Sequence, residues 1–67
     1  MITSNIKRLM KEKRITLRRM SAKTGLAEIT IRRARCELIA KCRLETLEAI
    51  AVCLECEIKD LFDEKRV

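Results

Sequence analysis

The chain contains almost none of the residues that interrupt helices. Its 67 residues include one glycine, Gly25, and no proline. Leu, Ile, Ala, Lys, Arg and Glu are abundant, and these residue types favour helices. Because sheets and long loops depend on the turn residues that are scarce here, the sequence predicts an all-α fold. At this length we expect one domain, spanning residues 1–67.

Composition excludes several classes of function. Histidine, the commonest general base and zinc ligand, is absent. The chain also lacks a Ser/His/Asp set and a phosphate-binding glycine loop, so we expect no enzyme, no cofactor and no small-molecule substrate. One aromatic residue, Phe62, cannot build a stacking platform for single-stranded nucleic acid. No run approaches the roughly 18 apolar residues of a membrane span, and a signal peptide is missing, so we expect a cytoplasmic protein.

Charge is divided unevenly along the sequence. Residues 1–43 carry 13 basic and 3 acidic side chains, whereas residues 44–67 carry 3 basic and 7 acidic ones. A basic N-terminal part of this kind attracts polyanions, and the acidic part would face away from them. The alternative is that Lys and Arg only solvate helix surfaces. The separation of the two signs favours nucleic acid.

Apolar spacing and cap residues predict a compact bundle of five helices. Ser4 and Thr16 are plausible N-caps, and Gly25 is a suitable residue to end a helix because it adopts positive φ without strain. The predicted helices cover residues 4–13, 17–24, 27–36, 44–55 and 58–64, with a loop over residues 37–43.

The second and third predicted helices, joined by a short turn at Gly25, have the pattern of a helix-turn-helix motif. The third helix has two contrasting faces. Its inward face consists of Ala27, Thr30, Ile31 and Ala34 at helical spacing. Its outward face is basic and includes one β-branched apolar residue; it consists of Glu28, Ile29, Arg32, Arg33 and Cys36.

Two segments carry a resemblance to a known family. Residues 16–33, TLRRMSAKTGLAEITIRR, and residues 44–51, LETLEAIA, followed by DLF at 60–62, resemble the lambda-repressor/Cro (Xre) type of helix-turn-helix regulator. The resemblance covers nearly the whole chain in the five-helix order of that family. It implies a sequence-specific regulator of transcription that binds double-stranded DNA, with the third helix in the major groove, and that is a homodimer at least on DNA.

Matched position by position, the resemblance implies four base-reading residues: Glu28, Ile29, Arg32 and Arg33. Their chemistry fits, because Arg bonds guanine bidentately, Glu accepts from cytosine N4 and Ile contacts the thymine methyl group. The alternatives are that Arg32 and Arg33 form a solvated face and that Ile29 packs against the second helix.

Backbone contacts are expected from six residues around this helix: Thr16, Arg18, Arg19, Cys36, Lys41 and Arg43. Such contacts position a protein on DNA without reading its sequence. The loop after the third helix reaches the minor groove in some phage repressors, and Arg43 is the candidate here. Arg35 could bind phosphate or pair with an acidic residue.

The sequence also departs from the family pattern. Leu17 replaces the usual Gln, Ala27 replaces the usual Ser or Thr cap, and Glu37 and Glu55 stand where glycine is expected after the third and fourth helices. These departures leave open a degenerate helix-turn-helix module that binds a protein partner instead of DNA.

The four cysteines suggest a further alternative, a zinc- or redox-responsive regulator. Cys53 and Cys56 form a C-x-x-C pair, whereas five residues separate Cys36 from Cys42, so the double C-x-x-C zinc signature is missing. Reduced cysteines that pack as small apolar residues are the simpler interpretation, and we expect no metal site. Modification of Cys36 would weaken DNA binding because this residue is expected to lie close to the DNA.

Overall fold

The computed structural model describes residues 1–64 and shows a mostly helical domain with a small sheet. In chain order the elements are β1 (Ile2–Ser4), α1 (Ile6–Glu12), α2 (Leu17–Thr24), α3 (Glu28–Ala34), a 3-10 turn (Glu37–Lys41), α4 (Leu44–Cys53), a second 3-10 turn (Ile58–Leu61) and β2 (Phe62–Glu64). The prediction of helical segments is confirmed for four α-helices.

The prediction of a fifth helix over residues 58–64 is wrong, and the fold is not all-α. After the 3-10 turn the chain becomes extended, and β2 pairs antiparallel with β1, so that Ser4 lies opposite Phe62 and Ile2 opposite Glu64. The backbone N–H of Asn5 donates to the Leu61 carbonyl at 2.8 Å and joins the two chain ends. A seven-residue helix has few internal hydrogen bonds, and β1 offers the backbone of residues 62–64 a partner strand instead.

Other boundaries also differ from the prediction. Helix α3 is Glu28–Ala34 rather than residues 27–36, and α4 is Leu44–Cys53 rather than residues 44–55. Two more differences have local reasons. Helix α1 begins at Ile6 because Ser4 belongs to β1; its Oγ still accepts from the Ile6 N–H at 3.2 Å and donates to the Ala34 carbonyl at 2.6 Å. The expected loop over residues 37–43 contains the first 3-10 turn, whose Ile39 side chain is buried. Ser4 therefore ties the start of α1 to the end of α3.

The core lies where the four helices and both 3-10 turns meet. Its largest completely buried side chains come from six positions spread along the chain: Ile6, Met20, Ile31, Ile50, Leu54 and Leu61. Leu47, Ile50 and Ala51 of α4 and Leu54 directly after it are all buried as well. No buried side-chain nitrogen or oxygen among residues 1–64 lacks a hydrogen-bond partner, so the core has the satisfied polar groups expected of native structures.

No helix within residues 1–64 combines the length and the apolar character needed to cross a membrane.

Candidate nucleic-acid interface

The start of α2 is fixed by a side-chain cap. Thr16 is extended, with φ −81° and ψ 160°, and its Oγ1 accepts a hydrogen bond from the Arg19 N–H at 3.1 Å. Arg18 and Arg19 follow in the first helical turn, and all three residues are exposed. The free N–H groups at the start of a helix attract anions. The structure thus places three of the predicted backbone-contacting residues at one exposed helix start.

The turn between α2 and α3 is held by side chains from α2. Gly25 has φ +76°, and its N–H donates to the Ser21 carbonyl at 2.9 Å. The Ser21 hydroxyl donates to the Leu26 carbonyl at 2.5 Å, while Thr24 Oγ1 accepts from the Leu26 N–H at 3.2 Å. Because these bonds fix the path of residues 25–27, they set the angle at which α3 leaves α2.

Helix α3 has a buried and an exposed face, as its sequence predicts, but the placement of Ala27 on the inward face is wrong, because Ala27 is exposed and lies before the helix as its N-cap. Ile31 and Ala34 are buried in the core. The four predicted base-reading residues are all exposed: Glu28, Ile29, Arg32 and Arg33. Ile29 is 56% exposed, so packing against α2 does not account for this residue.

The N-terminus of α3 has no side-chain cap, as the Ala27 substitution predicts. The Ala27 carbonyl accepts from the Thr30 and Ile31 N–H groups at 3.0 and 3.2 Å, which starts the helix. Glu28 lies in the first turn, where its carboxylate interacts favourably with the helix dipole. The first N–H groups of α3 are therefore left for water or a ligand.

A groove of about 470 Å³ lies between the end of α3 and the start of α4. Three residues predicted to contact DNA line it, namely Arg33, Lys41 and Arg43. Arg43 Nη1 lies 3.6 Å from Glu45 Oε1, but both side chains are highly exposed, so this ion pair is weak. The groove therefore presents its positive charge to solvent and joins the exposed face of α3 to the following loop.

Cys36 lies at the end of α3 beside this groove. Its side chain is exposed, and its Sγ donates to the Arg33 carbonyl at 3.3 Å. The structure thus places Cys36 next to a predicted base-reading residue rather than among the residues that line the groove.

Three basic residues near α2 were missed or left undecided by the sequence analysis. Lys7 and Lys11 of α1 and Arg35 at the end of α3 line a cleft of about 290 Å³ that also reaches Thr16. The spacing of Lys7 and Lys11, one helical turn apart, is visible in the sequence. Their meeting with Arg35 depends on how α1 packs against the motif, and the sequence alone does not reveal it.

The cysteines are free thiols and do not gather into a metal site. Among residues 1–64, no three side chains of the His, Cys, Asp or Glu type come together as metal ligands. Burial raises the pKa of the Cys42 thiol, Cys36 raises that pKa further and Arg33 lowers it. Burial and then Asp60 raise the pKa of Cys56. Both thiols are therefore less ready than an ordinary cysteine to form the thiolate that binds metal.

Acidic residues are concentrated outside the helix-turn-helix. The exposed acidic residues of α4 and of the segment after it are Glu45, Glu48, Glu55, Glu57, Asp60, Asp63 and Glu64. Lys59, the basic residue in that described segment, already lies 3.1 Å from Glu57. The division of charge in the sequence is thus also a division between structural elements.

Comparison with known families agrees with this arrangement. A model of the Cro/C1-type helix-turn-helix DNA-binding domain matches residues 5–64, which is most of the chain. No match is found among curated proteins. The matched family is a family of DNA-binding domains and is typically non-enzymatic.

Proposed function

Because the chain belongs to the Cro/C1-type helix-turn-helix family, we propose that it regulates transcription by binding a specific sequence of double-stranded DNA. One observation carries the proposal. The exposed face of α3 combines Arg32 and Arg33 with Glu28 and Ile29, directly after a rigid turn. This face offers donors, an acceptor and an apolar group, which are the three contacts that read base edges in the major groove.

The chemistry of each base-reading residue suggests the base that it contacts. Arg32 and Arg33 donate to O6 and N7 of guanine, Glu28 accepts from N4 of cytosine, and Ile29 contacts a thymine methyl group. Each well-placed pair is worth roughly 1–3 kcal/mol of discrimination against the wrong base. Together they support recognition of a short half-site.

Backbone contacts come from both ends of the motif. Thr16, Arg18 and Arg19 meet phosphates at the start of α2, while Lys41 and Arg43 meet them beyond α3, with Cys36 beside them. Their exposure and their positions around α3 support this role. These residues determine the affinity for DNA and its salt dependence, whereas the exposed face of α3 determines which DNA sequence is bound.

We also propose that two copies bind one DNA site, with half-site centres about 34 Å apart. Leu38 and Leu44 are exposed next to the loop that carries Lys41 and Arg43, and Leu44 is 69% exposed. A second copy that covers these leucines would place its own loop on the same stretch of DNA. Leu44→Glu is then expected to weaken binding to a two-fold site more than to a single half-site.

The second candidate function is a module that binds an acidic protein. The observation that favours it is Ile29, an exposed apolar residue among basic ones, which suits a protein surface as well as a thymine methyl group. The two functions differ in one respect. Substitutions on α3 change base preference if the partner is DNA, but they change only overall affinity if it is an acidic protein.

The test is an anisotropy titration of a duplex selected from a random library and of a scrambled duplex of equal length, across a range of salt concentrations. The proposal predicts that the selected duplex binds at least about 10³-fold more tightly. Lys59→Gln, which removes a charge outside the motif, serves as the control and should leave this ratio unchanged. If all duplexes bind equally at every salt concentration, the basic face is only an electrostatic surface and the protein-binding module becomes the better account.

A further inference from the structure

We propose that Lys7, Lys11 and Arg35 form a second phosphate-binding cleft, which holds the DNA backbone that flanks the half-site read by α3. This inference rests on the proposed function and deepens it. It adds a side of the protein, the exposed face of α1, that the helix-turn-helix motif by itself does not include.

The cleft is assembled from three separate segments. Helix α1 supplies Lys7 and Lys11, the end of α3 supplies Arg35, and the start of α2 closes the cleft at Thr16 and Leu17. Its volume is about 290 Å³. Lysines at i and i+4 lie on the same face of a helix, so both ammonium groups point to the same side of α1.

The charge of the cleft is uncompensated within the described part of the chain. No acidic residue lines it, and none of the ion pairs formed within residues 1–64 uses Lys7, Lys11 or Arg35. The acidic residue of α1, Glu12, lies 3.5 Å from Arg8 instead. Three cations that share one concavity repel each other, and an anion between them removes this repulsion.

Apolar residues line the cleft beside the basic ones. Met10 is buried, and Ile15 and Leu17 are half-buried. Long basic side chains lay their methylene groups along such surfaces and keep the charged end in water. Arg35 is itself half-buried, and its N–H donates to the Ile31 carbonyl at 3.0 Å, so its backbone is fixed at the end of α3.

The chemistry of the cleft fits a phosphate group. A guanidinium binds phosphate oxygens in a bidentate way, and ammonium groups act as additional point charges. The cleft is continuous with Thr16, where the start of α2 is proposed to meet the DNA backbone. Its occupant is therefore the neighbouring phosphate of the same strand, outside the bases that α3 contacts.

The experiment compares Lys7→Gln/Lys11→Gln with a control, Arg8→Gln/Lys59→Gln, that removes the same two charges outside the cleft. Dissociation constants are measured by anisotropy across salt on a duplex with long flanks and on one trimmed to the half-sites. The cleft variant should lower the slope of log K against log salt by about 2 on the long duplex, with base preference unchanged. On the trimmed duplex this loss should disappear, and the control should change neither slope.

Equal slopes for the cleft variant and the control would overturn the proposal, and so would an equal loss on both duplexes. A second variant, Arg35→Gln alone, should lower the slope by about 1, and an unchanged slope would likewise count against the cleft. The outcome is separable from the proposed function. If the wild-type protein shows no base preference, sequence-specific regulation fails, whereas a slope that Lys7→Gln/Lys11→Gln lowers and the control variant leaves unchanged still establishes this phosphate site.

Discussion

Replacing Glu55 with glycine should stabilise the protein, because Glu55 adopts a left-handed backbone conformation with φ +56° at the end of α4. The surrounding hydrogen bonds enforce this conformation. The Cys56 N–H donates to the Ala51 carbonyl at 3.0 Å, and the Glu55 N–H donates to the Val52 carbonyl at 3.1 Å. This pair of bonds defines a Schellman motif, in which glycine is the favoured residue at the left-handed position.

The expected gain follows from two opposing effects. A left-handed conformation costs an L-residue other than glycine roughly 1–2 kcal/mol. Glycine, however, loses more backbone entropy on folding, and this penalty reduces the gain in stability by roughly 0.5–1 kcal/mol. We therefore expect Glu55→Gly to raise the free energy of unfolding by about 0.5–1 kcal/mol. In a domain of this size, each kcal/mol corresponds to a shift in Tm of about 4–8 °C.

The assay is urea unfolding followed by circular dichroism, together with thermal melts. Glu55→Ala is the matched control, because it removes the same charge but leaves a side chain at the left-handed position. Arg14 repeats this backbone geometry at the end of α1. Its φ is +56°, and the Ile15 N–H donates to the Met10 carbonyl at 2.9 Å. If Glu55→Gly is no more stable than Glu55→Ala, the argument from backbone strain is refuted.

Three further substitutions test the framework of the motif by urea unfolding. Thr16→Ala should lower the free energy of unfolding by about 1 kcal/mol because it removes the cap on the Arg19 N–H. Thr16→Ser should retain most of the stability. An equal loss in both variants would exclude the cap as the cause. Gly25→Ala should cost roughly 1 kcal/mol through its positive φ alone, since an added Cβ meets nothing within 4 Å, and a loss several times larger would indicate a steric clash. Ile31→Ala should cost about 2–5 kcal/mol because the side chain is completely buried between the motif and the rest of the core, and a cost below about 1 kcal/mol would mean that this part of the core is not packed as described.

The best-predicted element is α2, and the reasons are local. The sequence predicts a helix over residues 17–24, and the structure has Leu17–Thr24. Thr16 and Gly25 mark the two ends chemically, one as a side-chain cap and the other as the left-handed residue. The outward face of α3 was predictable for a similar reason, since helical spacing alone separates its buried and exposed positions.

The small sheet could not be predicted from local pattern. Its strands are three residues each and lie at opposite ends of the described chain. Pairing across such a sequence separation leaves no periodic signal in either segment, and residues 58–64 read equally well as a short helix. The same limitation applies to the cleft of Lys7, Lys11 and Arg35, because tertiary packing brings its three contributing segments together.

Glu37 and Glu55, which stand where the family pattern has glycine, adopt different backbone conformations. Glu55 adopts the left-handed conformation that glycine would have taken. Glu37 instead begins a 3-10 turn and has no positive φ. The sequence indicates that both positions are unusual, but whether the chain accepts strain or takes another path depends on what packs nearby.

The roles of the base-reading and phosphate-binding residues stay predictions.

The central claim is that the exposed face of α3 reads base edges in duplex DNA. The most direct test is to select bound duplexes from one random library with the wild-type protein and, in parallel, with Arg33→Ala. The account predicts a short two-fold motif for the wild type and, for the variant, the same motif with preference for guanine lost at one position of each half-site. Identical motifs from both proteins, or no motif from the wild type, would contradict the claim.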